Sequence, residues 1–139
     1  MTIQYLLDTT IVSAPMLKAP NPRILSRLEL HGSECAIAAP VWHELTYGCQ
    51  RLPEGKRRSL LEAYLHDVVE VSFQILPYDA AAAAWHARER ARLETLGRPA
   101  PYADAQIAAI AHANGLVLVT TNTKDFSRYK DLALADWSK

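Results

Sequence analysis

Four acidic residues stand where the chain could do chemistry. Asp8 ends an apolar strand in Tyr5-Leu6-Leu7-Asp8-Thr9-Thr10, and Asp125 follows a second one in Thr120-Thr121-Asn122-Thr123-Lys124-Asp125-Phe126. Glu44 and Asp104 each fall early in a predicted helix. In an open α/β sheet ligands bind outside the carboxyl ends of the strands, so acids at strand ends and helix starts can share one edge. Carboxylates gathered there repel one another unless a cation holds them. Oxygen-only ligands suit Mg²⁺, or Mn²⁺ in its place, rather than zinc.

Each acid also has a plainer reading. Asp8 suits a helix N-cap. Glu44, in line with Val41 and Gly48 at the edge of its helix's apolar stripe, reads alone as a solvated glutamate. Asp125 could cap a short turn through Phe126. Asp104 is harder to dismiss, because Ile107, Ala108 and Ala111 share its helical face and turn its carboxylate toward the sheet. Burying an unpaired charge costs at least ~3 kcal/mol, so Asp104 needs a partner: a cation, an arginine or a helix N-terminus.

The elements that must position these acids follow from periodicity and punctuation. Short apolar runs predict strands at Ile3–Leu7, Cys35–Ala38, Phe73–Leu76, Leu116–Val119 and, more briefly, Leu132–Ala135. Helices are expected after Thr9-Thr10, over about Pro22–Leu30, from Pro40 to about Gln50, and through the amphipathic stretch Leu60 to Val69. Two more run from the Asp79 cap to about Leu96 before Gly97, and over Tyr102–Ala113 before Asn114-Gly115. Strands alternating with helices give a three-layer α/β/α fold on a small, mainly parallel sheet of four or five strands. Residues 1–139 read as one domain, without linker or repeat.

Bulk composition limits the function classes. Fifteen basic and fifteen acidic side chains cancel, so no global positive field advertises nucleic-acid binding. Any grip on an anionic polymer must be local, and Arg51, Lys56, Arg57, Arg58, Arg88, Arg90, Arg92 and Lys124 are candidates, most of them equally at home on solvated helix faces. Tyr102 could stack on an unpaired base or serve as core or lid. Cys35 and Cys49 make no disulfide framework. No leader pattern or membrane-length apolar run is present, and a cytoplasmic protein with no membrane partner is expected.

Other chemistries fit badly. There is no glycine-rich phosphate or dinucleotide loop and no Gly-x-Ser-x-Gly elbow. His43-Glu44-Leu45-Thr46-Tyr47 has tyrosine where a zinc-protease helix needs its second histidine. Asp8-Thr9-Thr10 lacks the second aspartate of a paired-aspartate phosphatase. A phospho-receiver domain would place an acceptor aspartate at the end of a central strand, whereas Asp79 after Leu76-Pro77-Tyr78 reads as a helix cap. A non-catalytic RNA- or protein-binding module on the same scaffold remains an alternative.

Taken together, Tyr5-Leu6-Leu7-Asp8-Thr9-Thr10, Glu44-Leu45-Thr46-Tyr47-Gly48, Asp104-Ala105-Gln106-Ile107-Ala108-Ala109-Ile110-Ala111, Thr120 to Phe126 and Trp137 resemble the PIN-domain ribonucleases, specifically the VapC-type toxins of toxin–antitoxin pairs. The resemblance spans essentially the whole chain. It implies an Mg²⁺-dependent endoribonuclease whose acidic site falls on Asp8, Glu44, Asp104 and Asp125, with Thr9, Thr10, Thr120 and Asn122 supporting them. Thr10 is a departure, since such proteins often carry asparagine or serine there. The resemblance also implies an RNA substrate, a homodimer, and a small cognate antitoxin whose tail blocks the site.

Overall fold

The computed structural model describes residues 2–139. Five short strands, β1 (Tyr5–Leu7), β2 (Cys35–Ala38), β3 (Gln74–Leu76), β4 (Val117–Val119) and β5 (Leu134–Ala135), form one sheet in the order β3-β2-β1-β4-β5. Every pairing is parallel, so the sheet goes further than the mainly parallel one expected. Successive residues in a strand face opposite sides. Leu6 and Leu7, Ala36 and Ile37, and Leu118 and Val119 are all fully buried, which means that both faces of the central strands are covered. The expected three layers result.

The connecting helices are α1 (Thr9–Val12), α2 (Pro22–His31), α3 (Ala39–Gln50), α4 (Lys56–Tyr64), α5 (Glu70–Ser72), α6 (Ala80–Thr95), α7 (Tyr102–Ala113) and α8 (Thr123–Phe126). Their ends obey local chemistry. Asn21 accepts from the Arg23 and Ile24 amides at 2.8 and 3.2 Å, and Asp79 accepts from that of Ala82 at 3.0 Å. After α6, Gly97 adopts φ +69° and lets the Arg98 amide reach back to the Leu93 carbonyl at 2.8 Å.

Three local expectations are corrected. The helix expected after Thr9-Thr10, for which those threonines could have served as cap, begins at Thr9, and Asp8 caps it. The strands are shorter by one or two residues at their amino ends, where Ile3, Phe73, Leu116 and Leu132 lie outside the ladder. The amphipathic stretch is interrupted by a π turn over Leu65–Val69. That turn buries Leu65 and Val69 but leaves Leu60 and Val68 exposed, so the apolar stripe does not stay on one face.

The topology decides where a site can form. Chain order runs outward from β1 through β2 to β3, then returns to the other side of β1 for β4 and β5. The strand order therefore reverses between β1 and β4, and a crevice opens at their carboxyl ends. Asp8 follows β1 and Thr120 follows β4, which places both at that reversal.

Candidate active site

Asp8 is 7% exposed and doubly held. Its Oδ1 accepts from the Thr9 amide at 2.8 Å, and its Oδ2 accepts from the Thr120 hydroxyl at 2.8 Å. Thr120, fully buried, in turn accepts from the Asn122 amide at 3.0 Å. The Thr9 hydroxyl donates to Glu44 Oε2 at 2.9 Å, so this one threonine links two of the four acids. Thr10 is different: its hydroxyl is buried without any hydrogen-bond partner.

Asp104 sits in the first turn of α7, half-buried. Burial pushes its pKa up, and the charges of Asp8, Asp125 and Glu44, in that order, push it further; Arg128 opposes them. Burial likewise raises Asp8 against its two hydrogen bonds, with a smaller push from Glu44. Asp104 is thus within electrostatic reach of the other three acids. Glu44 and Asp125 are the exposed members. Asp125 does not cap α8; Asn122 holds the cap position and Asp125 lies inside the turn.

The donors are carboxylates and hydroxyls, with no histidine or thiolate among them, which fits Mg²⁺ or Mn²⁺ and not zinc. Among the described residues no group of three or more His, Cys, Asp or Glu side chains is gathered closely enough to hold a metal ion by itself. An open arrangement suits Mg²⁺, which keeps several waters and takes only one or two carboxylates directly.

One positioning network involves residues that sequence reasoning did not single out. Glu89, buried on α6, accepts two hydrogen bonds from Arg92 and one from the Lys130 amide, at 2.8, 2.8 and 2.7 Å. Arg92 also donates to the Arg128 carbonyl at 2.8 Å. Arg128 donates to the Asp125 carbonyl at 2.8 Å and to that of Pro99 at 3.1 Å. The segment carrying Asp125 is thereby braced against α6. The hydrogen bonds from Arg92 hold the Glu89 carboxyl below its usual range despite burial. Arg92 is consequently not a free phosphate contact, and that expectation is corrected. Arg92 is one turn away from Glu89, but the Lys130 amide reaches it from 41 residues along the chain, a contact that the sequence does not display.

The PIN domain family matches residues 5–132 of the chain. The tRNA(fMet)-specific endonuclease VapC of Shigella flexneri is 32% identical over 98% of this chain and 99% of that protein. Toxin FitB of Neisseria gonorrhoeae is 33% identical over 87% of this chain and 89% of its own. A crystal structure of VapBC2 from Rickettsia felis, bound to a DNA fragment from their promoter, superposes with a TM-score of 0.84 at 29% identity. That superposition covers 97% of this chain and 99% of the other. With an acidic crevice at the β1/β4 reversal and relatives matched end to end, the chain belongs to the PIN-domain family, in its VapC-type group.

Proposed function

We propose that the protein is an Mg²⁺-dependent endoribonuclease, the toxin of a toxin–antitoxin pair, and that it hydrolyses RNA phosphodiester bonds at the Asp8, Glu44, Asp104 and Asp125 crevice. The observation that carries this reading is geometric: Asp8 at the end of β1 is held by Thr9 and Thr120, Thr9 also ties in Glu44, and Asp104 lies close enough to feel their charges, an arrangement that a dication relieves. Relatives named as a tRNA-specific endonuclease and as a toxin support the activity and the role.

Asp8 and Asp104 would be the principal holders of the ion, and Glu44 and Asp125 would complete its shell or position a second ion. When bound, a divalent ion supplies Lewis-acid stabilisation of the charge that builds on the phosphoryl oxygens, and lowers the pKa of an attacking water. The chain's own part is orientation. Thr120 fixes the free oxygen of Asp8 and Thr9 turns Glu44 toward the crevice. The exposed carboxylates of Glu44 and Asp125 face solvent, where they accept hydrogen bonds from the water that attacks.

The antitoxin's seat is proposed in a groove of about 710 Å³ beside Glu44 and Thr9. Met16, Leu17, Tyr47 and Leu60 stand exposed along it, so a partner with an apolar stripe and a basic end would cover both groove and acids. A homodimer acting in the cytoplasm completes the proposal; among the described residues no helix is long and apolar enough to cross a membrane.

The test is cleavage of RNA by the purified chain with and without added Mg²⁺, compared with Asp8→Asn and Asp104→Asn. Loss of activity in both folded variants is expected, and full activity in both would overturn the site.

A further inference from the structure

Two adjoining cavities, of about 230 and 190 Å³, lie against α6 and the start of α7 and share His86, Arg90, Glu94 and Tyr102 as walls. Tyr102 is the unusual member. It is 54% exposed, although a large aromatic ring gains by burial. It is nonetheless held in place. The edge of the buried His86 ring meets it at a centroid distance of 4.8 Å and an angle of 63°. His86 is fixed in turn by Tyr78, whose hydroxyl oxygen lies 2.7 Å from Nδ1. Burial and the Arg90 charge lower the His86 pKa. The Arg90 guanidinium stands 5.6 Å from the Tyr102 ring centre, and Arg90 pairs with Glu94 at 3.4 Å.

The second cavity lies on the Asp104 side of this cleft. Ala105 and the buried Tyr129 form its wall, and Tyr129 is close enough to Asp104 for that charge, after burial, to push its phenol up to about 12. Tyr102 and Asp104 are two residues apart in the first turn of one helix. Their side chains leave the helix in different directions, so it is through Tyr129 that a group in this cavity comes near Asp104.

We propose that this cleft is a nucleobase subsite, in which Tyr102 stacks an unpaired base of the RNA beside the bond that is cut. The proposal rests on the ribonuclease reading and adds a determinant of substrate choice to it. The chemistry favours a base over a phosphate. A base is flat, neutral and rimmed with donors and acceptors, and the cleft offers a held aromatic ring with the Arg90 guanidinium over it and the Glu94 carboxylate paired to that guanidinium. A phosphate would meet the Glu94 carboxylate and find Arg90 already paired. Because His86 and Tyr78 hold the ring beforehand, little conformational freedom is lost on stacking.

The experiment walks one abasic position along an unstructured hexaribonucleotide. Binding to Asp104→Asn protein, which is expected not to cut, is followed by fluorescence anisotropy, with and without Tyr102→Leu. At one position the base and the ring should depend on each other. There, Tyr102→Leu should weaken the intact oligonucleotide by roughly 5- to 100-fold and leave its abasic counterpart unchanged, while Tyr102→Phe binds as tyrosine does. As a second readout, 2-aminopurine at that position should be quenched on binding to protein with Tyr102 and not to Tyr102→Leu. Equal weakening of every oligonucleotide, or no weakening of any, would overturn the subsite. So would a change of oligomeric state in sedimentation without base-specific loss, which would assign Tyr102 to a contact between copies of the chain. The ribonuclease reading stands or falls separately, on cleavage by the protein with Asp104 intact.

Discussion

The Thr120 hydroxyl donates to Asp8 Oδ2 at 2.8 Å, joining the ends of two neighbouring parallel strands across 112 residues of chain. This bond sets the rotation of a carboxylate that is buried and whose other oxygen is committed to the Thr9 amide. Thr120→Val keeps the shape and removes the donor. It also strands the Asn122 amide that the hydroxyl accepts. Loss of a buried hydrogen bond to a charged group costs about 1.5–3 kcal/mol, readable by urea or thermal denaturation. Cleavage should fall roughly 10- to 100-fold, with a higher Mg²⁺ requirement, as expected for a group that orients a metal-holding carboxylate. Thr120→Ser should restore most of both.

Metal-free stability should depend on pH in a specific direction. Asp104 and Asp8 have pKa values raised above the ordinary carboxylate range, so the native state binds their protons more readily than the unfolded chain does. Their contribution to stability is fully present below the unfolded carboxylate range and is lost as pH rises through the folded values. In chelator at neutral pH, Asp104→Asn should therefore melt slightly above the wild type. The gain is on the order of 0.5 kcal/mol after solvent screening, or about 1–3 °C. The difference should vanish near pH 4. No gain at neutral pH would show that the acids do not burden one another.

Mg²⁺ should reverse that order. At ten times its Kd a ligand that binds only the native state adds about 1.4 kcal/mol, so the wild type should gain roughly 3–5 °C in Tm. Asp104→Asn should gain little or nothing. Cleavage should decline as pH falls through the raised values of Asp8 and Asp104, because protonated carboxyls release the ion.

Glu89 is expected to act on the site without touching it. Glu89→Ala leaves Arg92 without its partner and frees the Lys130 amide, so the segment that carries Asp125 loses its brace to α6. Cleavage should fall on the order of tenfold, with the larger change in Mg²⁺ requirement, as for other groups that orient metal ligands indirectly. Glu89→Gln, which keeps one acceptor for Lys130, should fall between the two. Unchanged metal dependence in Glu89→Ala would show that Asp125 holds its place unaided.

How far the site was legible in the sequence depends on the range over which each signal is written. Asp8 and Asp104 carry local signals: an acid at the end of an apolar strand, and an acid centred on an apolar helical face. The strand–helix alternation gave the layered parallel sheet in the same way, because both periodicities are local. Glu89 was not legible, since the Lys130 amide that it accepts arrives from after α8, as does the Arg128 carbonyl that its partner Arg92 meets. For the same reason Arg92 looked free to meet phosphate. The π turn over Leu65–Val69 also escaped, because a stripe of leucines and valines does not reveal one extra residue in a turn. Tyr102 could be named as a stacking candidate, but its setting against His86 and Arg90 becomes evident only in the fold.

The most direct test of the whole account is cleavage of a defined RNA by chelator-stripped protein on titration with Mg²⁺, alongside Asp8→Asn and Asp104→Asn. The account predicts cutting by the wild type that appears with the metal, and less than about a hundredth of that rate in either folded variant. Undiminished cutting in chelator, or wild-type rates from both variants, would contradict it.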